Sequence, residues 1–221
     1  MDEVLRRSSA HVVAADINTP VISAEVTHHL ERVLRLRAGE LVTVTDGRGN
    51  WRECCWTGQT VEIAGEIQTS SERDKLVVAV AIPKGDRLEW MMQKLVEIGV
   101  DRVQLLVADR SVVKWDDKRI QKHLERLHRV VEAAIGQSRR VWNCEIIAPV
   151  STHEVLPGMA IAEPGGRNLD GGDRVIAVGP EGGWSAAELA VASESVSLSD
   201  QVLRVETAAV VAATLMAAQR G

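Results

Sequence analysis

The sequence predicts an α/β protein in two parts, a short β-rich segment followed by a longer alternation of strands and helices. Short apolar runs with partial period-2 alternation crowd residues 11 to about 70. From Leu76 onward strand-like and helix-like patterns alternate, which implies a mostly parallel sheet covered by helices. Between them lies polar Ser70–Asp74, where the pattern changes, so the domain boundary is placed to give residues 1–72 and 73–221.

In the first part the strands are expected at Val12–Ala15, Leu41–Thr45, Trp51–Thr57 and Val61–Ile67. Asp46-Gly47-Arg48-Gly49-Asn50 is a hairpin turn signal between two of them. Thr27 to Arg37 reads as a short helix with Thr27 as its N-cap and Gly39 just past its end. So many short strands in so few residues suggest a small barrel.

In the second part Leu76–Ile82 is an apolar strand, and a helix follows with Asp86 and Glu89 as a capping pair and Gly99 as its stop. Val103–Val107 is the next strand. Asp116–Gln137 is a long helix with Ile120, Leu124, Leu127, Val131, Ala134 and Ile135 along one side. Short strands are expected at Ile146–Ile147, Met159–Ala162, Val175–Val178 and Val196–Leu198. Ser185 and Glu188 form a full capping box ahead of another helix, and Glu206–Ala218 is the last one. Gly165–Asp173 reads as a flexible loop.

Composition narrows the function classes. No apolar run approaches the length of a membrane span, and Met1–Ala10 lacks the apolar core of a signal peptide, so a cytoplasmic location without membrane contact is expected. Cys54, Cys55 and Cys144 have neither metal-ligand spacing nor a disulfide framework. His123 and His128 are five apart and share no helix face as metal ligands do, so no metal is expected. Residues 84–140 carry a net charge of +4, against −3 before them and −6 after, so the middle of the chain is the electropositive part. With six Trp and no Phe or Tyr, any base stacking must come from Trp, His or Arg.

Candidate sites lie at strand ends. Gly179-Pro180-Glu181-Gly182-Gly183 follows an apolar run and precedes a helix, without the spacing of a Rossmann fingerprint or a P-loop. Alone it reads either as a tight connection or as a ligand turn. Two further turns, Ala162-Glu163-Pro164-Gly165-Gly166 and Leu203-Arg204-Val205-Glu206-Thr207, favour the second, because three such turns could hold a flat ring by backbone groups. Lys84 and Arg87, Arg110 and Lys114, and Arg139 and Arg140 sit at strand or helix ends suited to phosphate contacts, although the last two are also placed as cations at a helix C-terminus.

Taken together, Gly179–Ser185 with Glu188, Leu198 and Leu203–Ala208 resemble the signature of RsmE-type methyltransferases of the SPOUT superfamily. His29-Leu30 with Val33–Leu36, Asp46-Gly47, Lys84–Arg87, Gln93-Lys94 with Glu97–Val100, Arg110-Ser111 and Glu132–Ala134 with Gln137, Ser138 and Arg140 agree in the same order. The resemblance implies a small N-terminal PUA-like β-barrel, a C-terminal domain with a trefoil knot, a homodimer, S-adenosyl-L-methionine as methyl donor, and methylation of uridine N3 in small-subunit (16S) ribosomal RNA. Carried over, cofactor contacts fall on Glu163, Pro164, Gly179, Pro180, Glu181, Gly182, Gly183, Leu198, Leu203 and Arg204. RNA contacts fall on Arg6, Arg7, Arg35, Lys84, Arg87, Arg110, Lys114, Arg139 and Arg140. Methyl transfer to N3 needs its proton removed or the resulting anion stabilised. Arg204 is the candidate for the anion, and Glu206 either takes the proton or serves the N-terminus of its helix. Trp184 stands where the family usually has Phe, and Ser199 where it has Gly; a positive φ there would strain the cofactor loop. The same chemistry on a transfer RNA, or a non-catalytic RNA-binding assembly factor, are the alternatives.

Overall fold

The computed structural model describes residues 2–113 and 115–220. The first elements are α1 (Glu3–Arg7), β1 (Ala10–Val13), α2 (Ala24–His28), β2 (Leu41–Thr45), β3 (Asn50–Trp56), β4 (Val61–Ile63) and β5 (Gln68–Thr69). Strands and helices then alternate: β6 (Val77–Ala81), α3 (Arg87–Ile98), β7 (Arg102–Val107), α4 (Asp117–Ser138) and β8 (Glu145–Ser151). The rest are α5 (Thr152–Val155), β9 (Ala160–Asn168), β10 (Val175–Val178), α6 (Ala186–Val191), β11 (Glu194–Ser197) and α7 (Val205–Ala218). Two compact units result, Met1–Arg73 with Glu132–Asn143, and Asp74–Val131 with Cys144–Gly221.

In the first unit β1 pairs parallel with β2, β2 antiparallel with β3, and β3 with both β4 and β5. The Asp46–Asn50 turn forms as its residues require: Asp46 Oδ1 accepts from the amides of Arg48 at 2.7 Å and Asn50 at 3.2 Å, and Gly47 and Gly49 take positive φ. Alternate residues Val42, Val44, Cys54 and Trp56 enter a core with Ala10, Val12 and Leu30. The opposite side of β2 is buried too, by Arg140 and Val141 of the returning segment. Thr45 Oγ1 donates to the Val141 carbonyl at 3.1 Å, and His11 bridges Thr43 at 2.8 Å and the Arg140 carbonyl at 2.9 Å. The helix expected from Thr27 begins earlier, at Ala24, because Ser23 Oγ accepts from the Val26 amide at 3.2 Å; beyond His28 the chain widens into one π turn, His29–Val33.

In the second unit the strands form one parallel sheet, ordered β11-β9-β10-β6-β7-β8. β6 and β10 are continuous apolar runs, as strands covered on both faces must be. Met91, Met92 and Leu95 of α3 and Ala209, Ala212, Ala213 and Met216 of α7 cover one face and are fully buried. Leu156, Ile161 and Trp184 pack with Ala79, Leu106 and Ala177 on the other. Gly99 ends α3 in the left-handed region, as expected, but Asp86 makes no side-chain cap bond at its start. From β6 the chain moves outward through β7 and β8, then returns on the other side of β6 through β9 and β10. The β6–β10 junction is therefore the switch point of the sheet, where α/β proteins bind ligands outside the strand carboxyl ends.

Candidate functional site

A cavity of about 250 Å³ lies where the middle of β9 passes the carboxyl ends of β10 and β11. Ala162, Glu163 and Pro164 line it from β9, and Val178, Gly179, Pro180, Glu181, Gly183 and Trp184 from the end of β10. Leu198, Ser199, Gln201, Val202 and Leu203 close it beyond β11, with Val205 and Ala208 of α7. The lining carries the carboxylates of Glu163 and Glu181 and no Lys or Arg. Its geometry depends on Trp184. The indole Nε1 donates to the Ala162 carbonyl at 3.1 Å, tying the β10 loop to β9. The ring lies so close to Gly179 that a Cβ there would sit 2.8 Å from it, which explains the glycine. Gly183 turns the chain at φ +70°, its amide donating to the Pro180 carbonyl at 2.9 Å.

Behind this loop a buried carboxylate organises the start of α6. Glu188 completes the expected capping box with Ser185, accepting from the Ser185 amide at 2.8 Å. It also accepts from the Asp109 amide at 3.0 Å and the Thr152 hydroxyl at 2.6 Å, so its charge is fully hydrogen-bonded. Asp109 in turn receives the Ser185 hydroxyl at 2.5 Å and His153 Nε2 at 2.9 Å. Those two bonds, the hydroxyl first, hold the Asp109 carboxyl below the usual range, and the Asp109 contact raises the His153 imidazole. The neighbouring Arg110 donates from Nη1 to the Gly182 carbonyl at 3.0 Å, tying the β7 loop to the glycine loop.

A second, more open depression of about 740 Å³ lies at the β6–β10 junction, lined by Lys84, Gly85, Asp86, Arg87, Trp90, Glu181 and Arg204. Glu181 lines both spaces, and its Oε1 accepts from the Lys84 amide at 3.4 Å. Arg204 occupies the N-cap position of α7 and is exposed. Glu206, in the first turn of α7, is buried and on neither lining; its Oε1 stands 3.3 Å from Arg87 Nε, and its Oε2 has no hydrogen-bond partner.

The structure thus brings Glu163, Pro164, Gly179, Pro180, Glu181, Gly183, Leu198 and Leu203 around one cavity. Gly182 lies behind it under Arg110, and Arg204 lies on the adjoining depression. Ser199 adopts no positive φ, which removes the expected strain; its hydroxyl accepts from the Gln201 amide at 3.1 Å. Lys84, Arg87 and Arg110 are exposed in the second unit; Arg6, Arg7 and Arg35 are exposed in the first; Lys114 lies outside the described residues. Arg139 and Arg140 turn inward. Arg140 is 8% exposed and donates to the carbonyls of Trp142 and Asn143. Arg139, at φ +57°, donates to the carbonyls of Gly136 at 2.8 Å and Ser8 at 2.9 Å, and burial lowers its pKa. Both guanidiniums stitch the helix end into its domain and are taken up there rather than offered to a phosphate. Sequence reasoning missed Trp90. The available signal was an aromatic one turn after Arg87 on the polar side of an amphipathic helix.

Two family models match the chain: an RNA methyltransferase domain over residues 70–217, and an RNA methyltransferase PUA domain over residues 22–57. Ribosomal RNA small subunit methyltransferase E of Synechocystis sp. is 31% identical over 87% of this chain and 72% of its own length. The chain belongs to this methyltransferase family. The enzyme of the same name from Mycobacterium bovis is likewise 31% identical, over 87% of this chain and 83% of its own. Among solved members, the Neisseria gonorrhoeae ribosomal RNA small subunit methyltransferase E bound to S-adenosyl methionine superposes with a TM-score of 0.79 at 27% identity, covering 94% of this chain and 96% of that one. A putative methyltransferase from Legionella pneumophila in complex with the bound cofactor gives 0.81 at 26% identity, with the same coverage. The family's fold, a SPOUT-type α/β domain with a PUA-like domain at the N-terminus, is the one expected from the motifs.

Proposed function

We propose that this chain transfers the methyl group of S-adenosylmethionine to N3 of a uridine in small-subunit (16S) ribosomal RNA, acting in the cytoplasm as a homodimer. The observation that carries the reading is a cavity with two carboxylates and no cation, opening beside a basic depression that shares Glu181 with it. A lining of this charge suits a cofactor bearing sulfonium and ammonium groups and disfavours a phosphate-bearing nucleotide. The apolar walls of Val178, Trp184, Leu198 and Leu203 suit a flat ring, held at its edge by backbone groups of the loops after β10 and β11. When bound, the cofactor supplies an electrophilic methyl group. Arg204, exposed on the depression, would stabilise the anion left when the N3 proton passes to water in that open space, and Glu206 would position Arg87.

Residues 1–72 are the RNA-binding domain in this reading and 73–221 the catalytic one, consistent with where the two family models fall. Arg6, Arg7 and Arg35 of the first, and Lys84, Arg87 and Arg110 of the second, take the RNA backbone. A trefoil knot in this domain is what the SPOUT resemblance implies. Half-buried Val210, Val211 and Leu215 on the otherwise apolar α7 support the homodimer.

The test is calorimetric titration with S-adenosylmethionine, followed by methylation of small-subunit particles and of transfer RNA with the modified nucleotide mapped by mass spectrometry. Saturable binding and one 3-methyluridine in the 16S RNA are expected. A folded protein that binds no cofactor and modifies no RNA overturns the reading, and a methylated transfer RNA with unmodified 16S RNA overturns the substrate assignment.

A further inference from the structure

The basic depression has no role as a cofactor site, since its three cations, Lys84, Arg87 and Arg204, would oppose a sulfonium. Its other feature is an aromatic ring. Of the six tryptophans, Trp51, Trp56 and Trp184 are buried and Trp115 and Trp142 are half-buried; Trp90 alone is exposed, at 48%. In a chain with no Phe and no Tyr, this is the most exposed large aromatic ring. It stands one turn after Arg87 on α3, so the two side chains share a helix face. Arg87 is held there through Nε by buried Glu206, whose other carboxylate oxygen is without a hydrogen-bond partner. Glu181 lines both this depression and the cofactor cavity.

We infer that this depression is the receiving slot for the target nucleotide, an unpaired pyrimidine turned out of its helix, with the Trp90 ring as its stacking platform and Lys84 and Arg87 on the flanking phosphates. The inference rests on the methyltransferase reading above and adds to it the place of the substrate base. The N3 edge of a uracil takes part in base pairing, so the base must be extruded before a methyl group can reach it. Extrusion forfeits stacking in the RNA, and a protein ring replaces it. An exposed tryptophan sharing its depression with Lys84, Arg87 and Arg204, beside the cofactor cavity, is what that exchange requires. Trp90 touches the base and not the cofactor, so it acts on RNA and leaves cofactor affinity alone.

Two measurements test this. In the first, Trp90→Ala and Trp90→Phe are compared with the wild type for S-adenosylmethionine affinity and for kcat/KM on RNA. Loss of one base-stacking partner predicts a fall of about 5- to 150-fold in kcat/KM for Trp90→Ala, with unchanged cofactor Kd and most of the rate restored in Trp90→Phe. Trp90→Ala methylating as fast as the wild type overturns the slot while leaving the methyltransferase reading intact. In the second, an RNA fragment carrying 5-iodouridine at the methylated position is photo-crosslinked to the wild-type protein and the adduct mapped by mass spectrometry. A crosslink at Trp90 is expected, and its absence there overturns the assignment. If the wild type transfers no methyl group at all, the function reading fails by that result and the slot that rests on it fails with it.

Discussion

Arg110 and Gly182 are locked together: the guanidinium donates to the Gly182 carbonyl at 3.0 Å, and a Cβ built on Gly182 would stand 3.1 Å from the Arg110 Cβ. The glycine loop is therefore pinned from behind, on the side away from the cavity. Adding a branched side chain pushes the loop off Arg110 and into the space the cofactor needs. Overpacking of this kind costs about 1–3 kcal/mol, so Gly182→Val is expected to weaken S-adenosylmethionine binding by about 5- to 150-fold in calorimetry. Gly182→Ala, which asks its neighbour to yield only a few tenths of an ångström, weakens it less. Wild-type affinity in Gly182→Val would remove this loop from the binding site.

Trp184 and Gly179 are coupled in the same way. Trp184→Phe removes the bond from Nε1 to the Ala162 carbonyl and should lower stability by about 1 kcal/mol, read as a fall of a few degrees in Tm. Gly179→Ala alone is expected to be more damaging, because its Cβ meets the indole at 2.8 Å. In the Trp184→Phe background the smaller ring relieves that clash, so the double variant should be more stable than the sum of the single changes predicts. Strict additivity in a thermal-melt cycle would show that the two do not share this contact.

Acid sensitivity of the first unit is set by His11. Burial, aided by the charge of Arg139 and opposed by the bond to the Arg140 carbonyl, pushes its imidazole down to about 4, against an unfolded value near 6.5. The unfolded chain thus takes up a proton that the folded one refuses. Stability from this group is present above pH 6.5 and is lost as the pH falls from there to 4, by about 3 kcal/mol in all. Tm measured from pH 7 to 4 should fall along this interval, and His11→Gln should flatten the slope. An unchanged slope in the variant would assign the acid loss to other groups.

Local signals were legible in the sequence and distant ones were not. The Asp46–Asn50 turn, the Gly99 stop and the Ser185–Glu188 box depend on residues a few positions apart, and they form as read. The same Glu188 also accepts from Asp109 and Thr152, 79 and 36 residues away, and nothing in the local pattern marks that. The Gly179–Gly183 turn is legible because glycine and proline advertise turns, whereas Ala162–Gly166 carries the same residues and lies inside β9. The inward bonds of Arg139 and Arg140 are illegible for the converse reason. Cations at a helix end look the same in sequence whether they face solvent or, as here, donate to carbonyls of Ser8, Trp142 and Asn143. Gly165–Asp173 was read as a loop, yet β9 runs on to Asn168, because the Gly166 backbone passes against Ser195 of β11.

Arg204 and Glu206 separate in the structure although they are two residues apart. Arg204 is exposed on the depression, whereas Glu206 is 7% exposed, lies on neither lining and meets Arg87 at 3.3 Å. Enclosed in this way, Glu206 is placed to position Arg87, as proposed above. Glu206→Gln keeps the shape and a weaker contact to Arg87. It is expected to lower kcat/KM by less than about tenfold without moving the pH–rate profile, because a lost general base would cost roughly 10²–10⁴-fold. Arg204→Ala removes a cation from beside a developing anion and should lower kcat by roughly 10²–10³-fold with little change in cofactor Kd. Single-turnover rates across pH 6–9 separate the two cases. A collapse of the alkaline-side rate in Glu206→Gln with a mild Arg204→Ala would exchange their roles.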